Sequence, residues 1–133
     1  MGYLKVWIHA VWTTKNCEPF LRRGIGNTIF EHIIMNAEKN RILIDCVNGY
    51  ENHVHCLFSL KSTQTIGEVV NILKGESSHW INTNRLISEH FYWQKDYYAA
   101  SVGWHSLPRV RNYIANQEKR HSRLSLEDEI DSL

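Results

Sequence analysis

Two histidines stand at alternate positions, His53 and His55, in the stretch NHVHCLFSL at 52–60, where a strand built only for packing would carry Val, Ile or Leu. In an extended chain alternate side chains share a face, so these imidazoles point the same way and Val54 the other. Two imidazoles on one face can close on a single metal ion. The same pattern also suits two polar residues on a solvated sheet face. A structural zinc site drawing on Cys46 or Cys56 is a third reading. Cys56 alternates to the opposite face and no second ligand pair has zinc-finger spacing, whereas Cys46, on the neighbouring strand, stays open as a donor.

The stretch VRNYIANQEKRH at 110–121 supplies a second candidate pair. Tyr113 and Gln117 lie four residues apart and so share a helical face, one turn from each other. The glutamine amide oxygen is a neutral donor suited to a hard divalent cation. The ordinary alternative is an amphipathic helix in which Tyr113 packs beside Val110 and Ile114. Basic residues are local: Arg22 and Arg23 precede the first helix, Lys74 lies in ILKGESS, and Arg109, Arg111, Lys119, Arg120 and Arg123 surround the last. Such positions meet phosphates or simply hold water. The aromatic run HFYWQKDYYAA stacks on unpaired bases or fills a core. The chain has no GxSxG elbow, Walker loop, HExxH or dinucleotide glycine fingerprint, so no nucleotide cofactor is expected.

The elements that must position these residues follow from periodicity. Residues 3–14, YLKVWIHAVWTT, read as a strand. Ile25, Ile29, Ile33 and Ala37, widened by Phe30 and Ile34, predict a helix over 24–39. RILIDCVNGY and HVHCLFSLK form an antiparallel hairpin, with Asn48-Gly49 as the turn signal. Ser62 or Thr63 is the expected cap of a helix over 64–82 that turns Ile66, Val69, Val70 and Leu73 inward. FYWQKDYYAASVG reads as an edge strand or extended segment. Ser106 and Pro108 open a helix over 107–121. The order strand, helix, strand, strand, helix, strand, helix predicts an α+β ferredoxin-like sandwich: an antiparallel sheet, helices on one face, and an added C-terminal helix carrying the tyrosine.

With 133 residues, 43% hydrophobic and 22% charged, the chain reads as one domain, 1–133, with a short acidic tail from about 124. The formal net charge of +1 neither announces nor excludes a nucleic-acid partner. Three cysteines without a CxxC pair, no signal peptide and no apolar run of membrane-spanning length point to the cytoplasm, free thiols and no membrane partner.

Five segments in order, IHAVWTTKN, NHVHCLFSL, ILKGESSHWIN, FYWQKDYYAASVG and VRNYIANQEKRH, resemble the single-tyrosine HUH transposases of prokaryotic insertion sequences, from residue 3 to about 128. The resemblance implies that His53 and His55 are the HUH metal ligands, Gln117 a further ligand and Tyr113 the nucleophile. It implies Mg²⁺ or Mn²⁺ as cofactor and a homodimer acting on single-stranded DNA with hairpin ends. Tyr113 would form a 5′-phosphotyrosine link and leave a 3′-hydroxyl. Since a free phenol has a pKa of about 10, a cation or base must help it ionise. Lys74, Arg22, Arg23, Arg109, Arg111, Lys119 and Arg120 become candidates for DNA contacts, and Gly103 a hinge before the last helix. The acidic tail ends sooner than in many REP-associated relatives. Other outcomes of the same resemblance are a domesticated REP-associated endonuclease and a non-catalytic nucleic-acid-binding module.

Overall fold

Strands of alternating pattern and helices with one apolar stripe assemble here into two layers and a third, smaller one. The structure is a computed structural model and describes residues 5–22 and 24–117. Its elements are β1 (Val6–Thr13), α1 (Ile25–Lys39), β2 (Leu43–Tyr50), β3 (His53–Leu60), α2 (Ile66–Thr83), β4 (Tyr98–Val102) and α3 (Leu107–Ala115), with 3₁₀ turns at Lys15–Cys17 and Trp104–Ser106. The strands form one antiparallel sheet in the order β2-β3-β1-β4. This is the expected α+β arrangement, with β4 on an edge as read from the sequence.

The two sheet faces do different work. On one face Ile8, Ala10 and Trp12 of β1 and Val54, Cys56 and Phe58 of β3 pack under α1 and α2, meeting Ile29, Phe30, Ile33, Val69, Val70 and Leu73. Burying these chains out of water supplies the main driving force for the fold. On the other face Leu57 packs against Leu107, Val110, Tyr113 and Ile114 of α3, with Trp7, Cys46 and Val102 at the margin. The C-terminal helix therefore covers the face opposite α1 and α2, an arrangement the expectation of an added helix left unspecified.

Local details depart from the sequence reading in four places. Strand β2 runs through Asn48 and Gly49, and the turn falls at Glu51 and Asn52. The glycine serves close approach, since a Cβ at Gly49 would collide with the His53 carbonyl and the Phe30 ring. Helix α2 is capped by Thr65, whose hydroxyl accepts the Glu68 N–H at 3.1 Å, rather than by Ser62 or Thr63. Ser106 makes no side-chain cap bond: the 3₁₀ turn ahead of α3 leaves it with helical dihedrals, φ −92° and ψ −9°, where a capping residue is normally extended. Within α1, Ile29, Phe30, Ile33 and Ala37 are buried, but Ile25 and Ile34 lie at the rim, each 39% exposed. The helix begins at Gly24, whose φ of +92° only glycine adopts without strain. Among the described residues, no helix is long and apolar enough to cross a membrane.

Candidate active site

Strand β3 pairs with β1 on one side and β2 on the other, so His53 and His55 sit in the middle of the sheet. Both are on the α3 face, and both are fully buried. Directly opposite them on β2 stand Tyr50 and Asn48. The solvated-face reading of the HxH pair is excluded.

Helix α3, which ends at Ala115 rather than running through Gln117 as expected, brings Tyr113 down onto this pair, and Gln117 follows just past its C-cap, Asn116. The Tyr113 ring stands edge-on to His55, with centroids 5.4 Å apart and planes at 81°. Gln117, fully buried, places Oε1 3.1 Å from His53 Nε2 and donates its Nε2–H to the Tyr113 carbonyl at 3.1 Å. Asn48 holds the end of the helix by donating to the Ile114 carbonyl at 2.9 Å. Arg111 forks onto Asp45 with contacts of 2.8, 3.0 and 3.1 Å. Asp45 is the residue passed over where the β2–β3 register shifts between Ile44 and Cys46, so this irregularity presents the carboxylate to the helix. Thus 63 residues of intervening chain are closed by this contact.

The donor set fits a divalent cation. His53 Nδ1 lies 2.9 Å from Asn52 Oδ1, an acceptor; with the ring proton on Nδ1, Nε2 presents a lone pair. That lone pair faces the Gln117 oxygen, which also has only lone pairs to offer. Two acceptors at this distance repel unless a second ring proton or a metal cation serves both. An imidazole whose other nitrogen is tied to an oxygen is the usual form of a metal-binding histidine. Among the described residues no three His, Cys, Asp or Glu side chains are grouped to hold a metal; the further oxygen that faces His53 is the neutral Gln117 amide. Two imidazoles and one amide suit Mn²⁺ or Mg²⁺ with open positions better than a closed thiolate site.

The zinc reading loses both its thiols. Cys56 lies in the opposite core, where burial raises its pKa. Cys46 pairs with Leu57, not with a histidine, and its thiol is pushed up to about 12 by burial first and by Asp45 second. A thiol so held stays protonated and is a poor ligand.

The candidate DNA-contacting residues are placed unevenly. Arg22 and Arg109 are exposed, and Arg109 lines a small cavity of about 110 Å³ that His9 also lines. Arg111 is engaged with Asp45. Lys74 is only 9% exposed, and its ammonium donates to the carbonyls of Gln94 and Lys95 at 2.7 and 2.9 Å. Arg23, Lys119, Arg120, Arg123 and the acidic tail lie outside the described residues.

Sequence reasoning missed two participants. His9 of β1 brings Nε2 within 2.9 Å of His55 Nδ1, and Asn52 holds His53 as described. The signal for His9 was available: it is an odd-numbered polar residue in a strand whose even positions are apolar.

A sequence profile for a family described as "Transposase IS200 like" matches residues 3–117. A candidate transposase from Deinococcus radiodurans R1 superimposes with a TM-score of 0.70 at 22% identity, covering 88% of this chain and 95% of that one. A REP-associated tyrosine transposase bound to a REP hairpin superimposes with a TM-score of 0.65 at 15% identity, covering 93% of this chain and 73% of that one. Among curated proteins, none matches the sequence.

Proposed function

The chain belongs to the IS200-like transposase family, and from that premise we propose that it cleaves and rejoins single-stranded DNA at the ends of an insertion element, with Tyr113 as nucleophile. The observation that carries this reading is the convergence of Tyr113 and Gln117 on His53 and His55 over the α3-covered face of the sheet's two central strands.

His53, His55 and Gln117 are the residues that would hold a divalent ion, Mg²⁺ or Mn²⁺. When bound, such an ion would neutralise charge on the scissile phosphate and help the phenol ionise. The Tyr113 oxygen attacks phosphorus, the bond from phosphorus to the 3′ oxygen breaks, and that oxygen leaves as a hydroxyl after taking a proton. The 5′ phosphate stays on Tyr113 as a phosphodiester. A 3′-hydroxyl from another strand then attacks the same phosphorus, gives up its proton, and releases the tyrosine. Each step exchanges one phosphodiester for another, so no nucleotide cofactor is needed. The packing of Tyr113 against His55 and Leu57 restricts the ring to few rotamers, which favours in-line attack by limiting the geometries to be searched.

One tyrosine makes one cut, and excision needs two, which supports action as a homodimer. The REP hairpin bound by a protein of the same fold supports a DNA hairpin as partner. Unpaired bases beside such a stem can be splayed and stacked without melting a duplex. Arg22 and Arg109, with Arg23, Lys119 and Arg120 beyond the described residues, are the candidates for its phosphates.

The test uses hairpin-end oligonucleotides with Mn²⁺ or Mg²⁺ and a denaturing gel. A covalent protein–DNA band is expected, lost on chelation and in Tyr113→Phe. Cleavage that survives Tyr113→Phe overturns the mechanism. Tight hairpin binding without any adduct identifies a binding module instead.

A further inference from the structure

We propose that His9 is a positioning residue for this site: its Nε2 accepts the Nδ1–H of His55 and so fixes the tautomer and ring orientation that leave His55 Nε2 to the metal. The inference rests on the reading of His55 as a ligand.

The placement is specified by the sheet. On β1, His9 faces Leu57 across β3, while Val11 faces His55. His9 is therefore the diagonal neighbour of His55 on the same face, a spacing that only a long or aromatic side chain spans. On its other side β4 sets Ala100 opposite His9. The small residue leaves room for a ring there. The imidazole is 2% exposed, and its ring lies edge to edge with that of His55, centroids 5.1 Å apart and planes at 30°. It also meets the edge of Tyr113 at 6.0 Å, so one side chain borders both a ligand and the nucleophile.

The 2.9 Å contact between the two rings holds one proton, which belongs to one ring or the other. If His9 donated it, His55 would carry its own proton on Nε2 and turn an N–H toward the ion. If His55 donates, Nε2 offers a lone pair. His53 obeys the second rule, with its Nδ1 directed at the Asn52 oxygen. The two ligands are then built alike: each strand histidine has a fixed acceptor at Nδ1, one from the next residue and one from the neighbouring strand. Which nitrogen of an imidazole is free is set by the hydrogen bond the other makes.

The experiment is carried out on the full-length protein without metal, by long-range ¹⁵N–¹H correlation of the histidine rings. His55 is expected as the Nδ1–H tautomer. His55 found as Nε2–H in the wild type overturns the proposal without recourse to any variant. In His9→Leu the His55 tautomers are expected to mix, and Mn²⁺ affinity, read by electron paramagnetic resonance of the free ion, to fall about 10- to 100-fold. His9→Gln, whose amide oxygen can accept the same proton, is expected to restore the tautomer and most of the affinity. Wild-type Mn²⁺ affinity in a folded His9→Leu overturns the role. If His9→Leu fails to fold, the wild-type tautomer and His9→Gln still decide. Mn²⁺ affinity that ignores His53→Ala overturns the metal assignment instead, and the tautomer spectrum then judges His9 separately.

Discussion

Replacing Lys74 by Met separates two roles for this residue, a phosphate contact and an internal strap. In the structure its ammonium donates to the carbonyls of Gln94 and Lys95 at 2.7 and 2.9 Å, holding the segment before β4 onto α2. Hydrogen bonds from a charged donor contribute about 1.5–3 kcal/mol each. Two of them amount to roughly 3–6 kcal/mol before offsets. Release of lysine rotamer entropy returns at most about 2 kcal/mol, because methionine has comparable rotamer entropy to lose. Water reaching one of the carbonyls returns more, because Gln94 and Lys95 are themselves exposed. The net loss is then about 2 kcal/mol, or a melting temperature lower by roughly 5–10 °C for a chain of this size. Urea and thermal unfolding measure it. The rival role makes a different demand: a phosphate contact on a single strand carries about 0.7 of the slope of log affinity against log salt. Lys74→Met with unchanged stability and a salt slope shallower by about that amount would refute the strap. Lower stability with an unchanged slope is the expected result.

The same lysine gives a pH signature. Burial draws its pKa below the ordinary lysine value, with Asp96 partly opposing. Between the folded and the ordinary value the unfolded chain binds more protons, so stability rises with pH through that window and is flat below it. Lys74→Met should remove the rise, as read by urea midpoints across alkaline pH. Gly49→Ala should destabilise by about 3 kcal/mol, because the added methyl meets the His53 carbonyl and the Phe30 ring; a melting temperature within a degree or two of wild type would contradict the close approach. In thiol titration of the native protein, exposed Cys17 should react at once, while Cys46 and Cys56 wait for unfolding. Fast labelling of Cys46 would show that α3 does not cover it.

What the sequence made legible were features that repeat locally. Alternation put His53 and His55 on one face and Cys56 on the other, and the four-residue spacing put Tyr113 and Gln117 on one side of a helix. Features whose cause lies elsewhere in the chain were hidden. Asn48-Gly49 looked like a turn because that pair often makes one, yet here Asn48 serves the carbonyls ending α3 and Gly49 serves the His53 backbone. Lys74 looked like a free cation because its acceptors lie 20 and 21 residues ahead. An apolar stripe on α3 announced that the helix is buried but not against which face of the sheet. His9 stood out as a polar residue in an apolar strand, but its partner, on another strand 46 residues away, did not.

Tyr113 lies on one short helix and Gln117 just past its end, bonded to the Tyr113 carbonyl, the whole tied to β2 by Asn48 and by the Arg111–Asp45 pair. On the proposed assignment, nucleophile and third metal donor cannot be withdrawn separately. Lifting α3 disarms the phenol and loosens the ion together, and by reciprocity the ion spends part of its affinity pressing the helix down. A partner or DNA strand that favours the lifted helix would therefore act as an antagonist of metal binding without touching either histidine, and its strength would be readable as a shift in the metal titration curve.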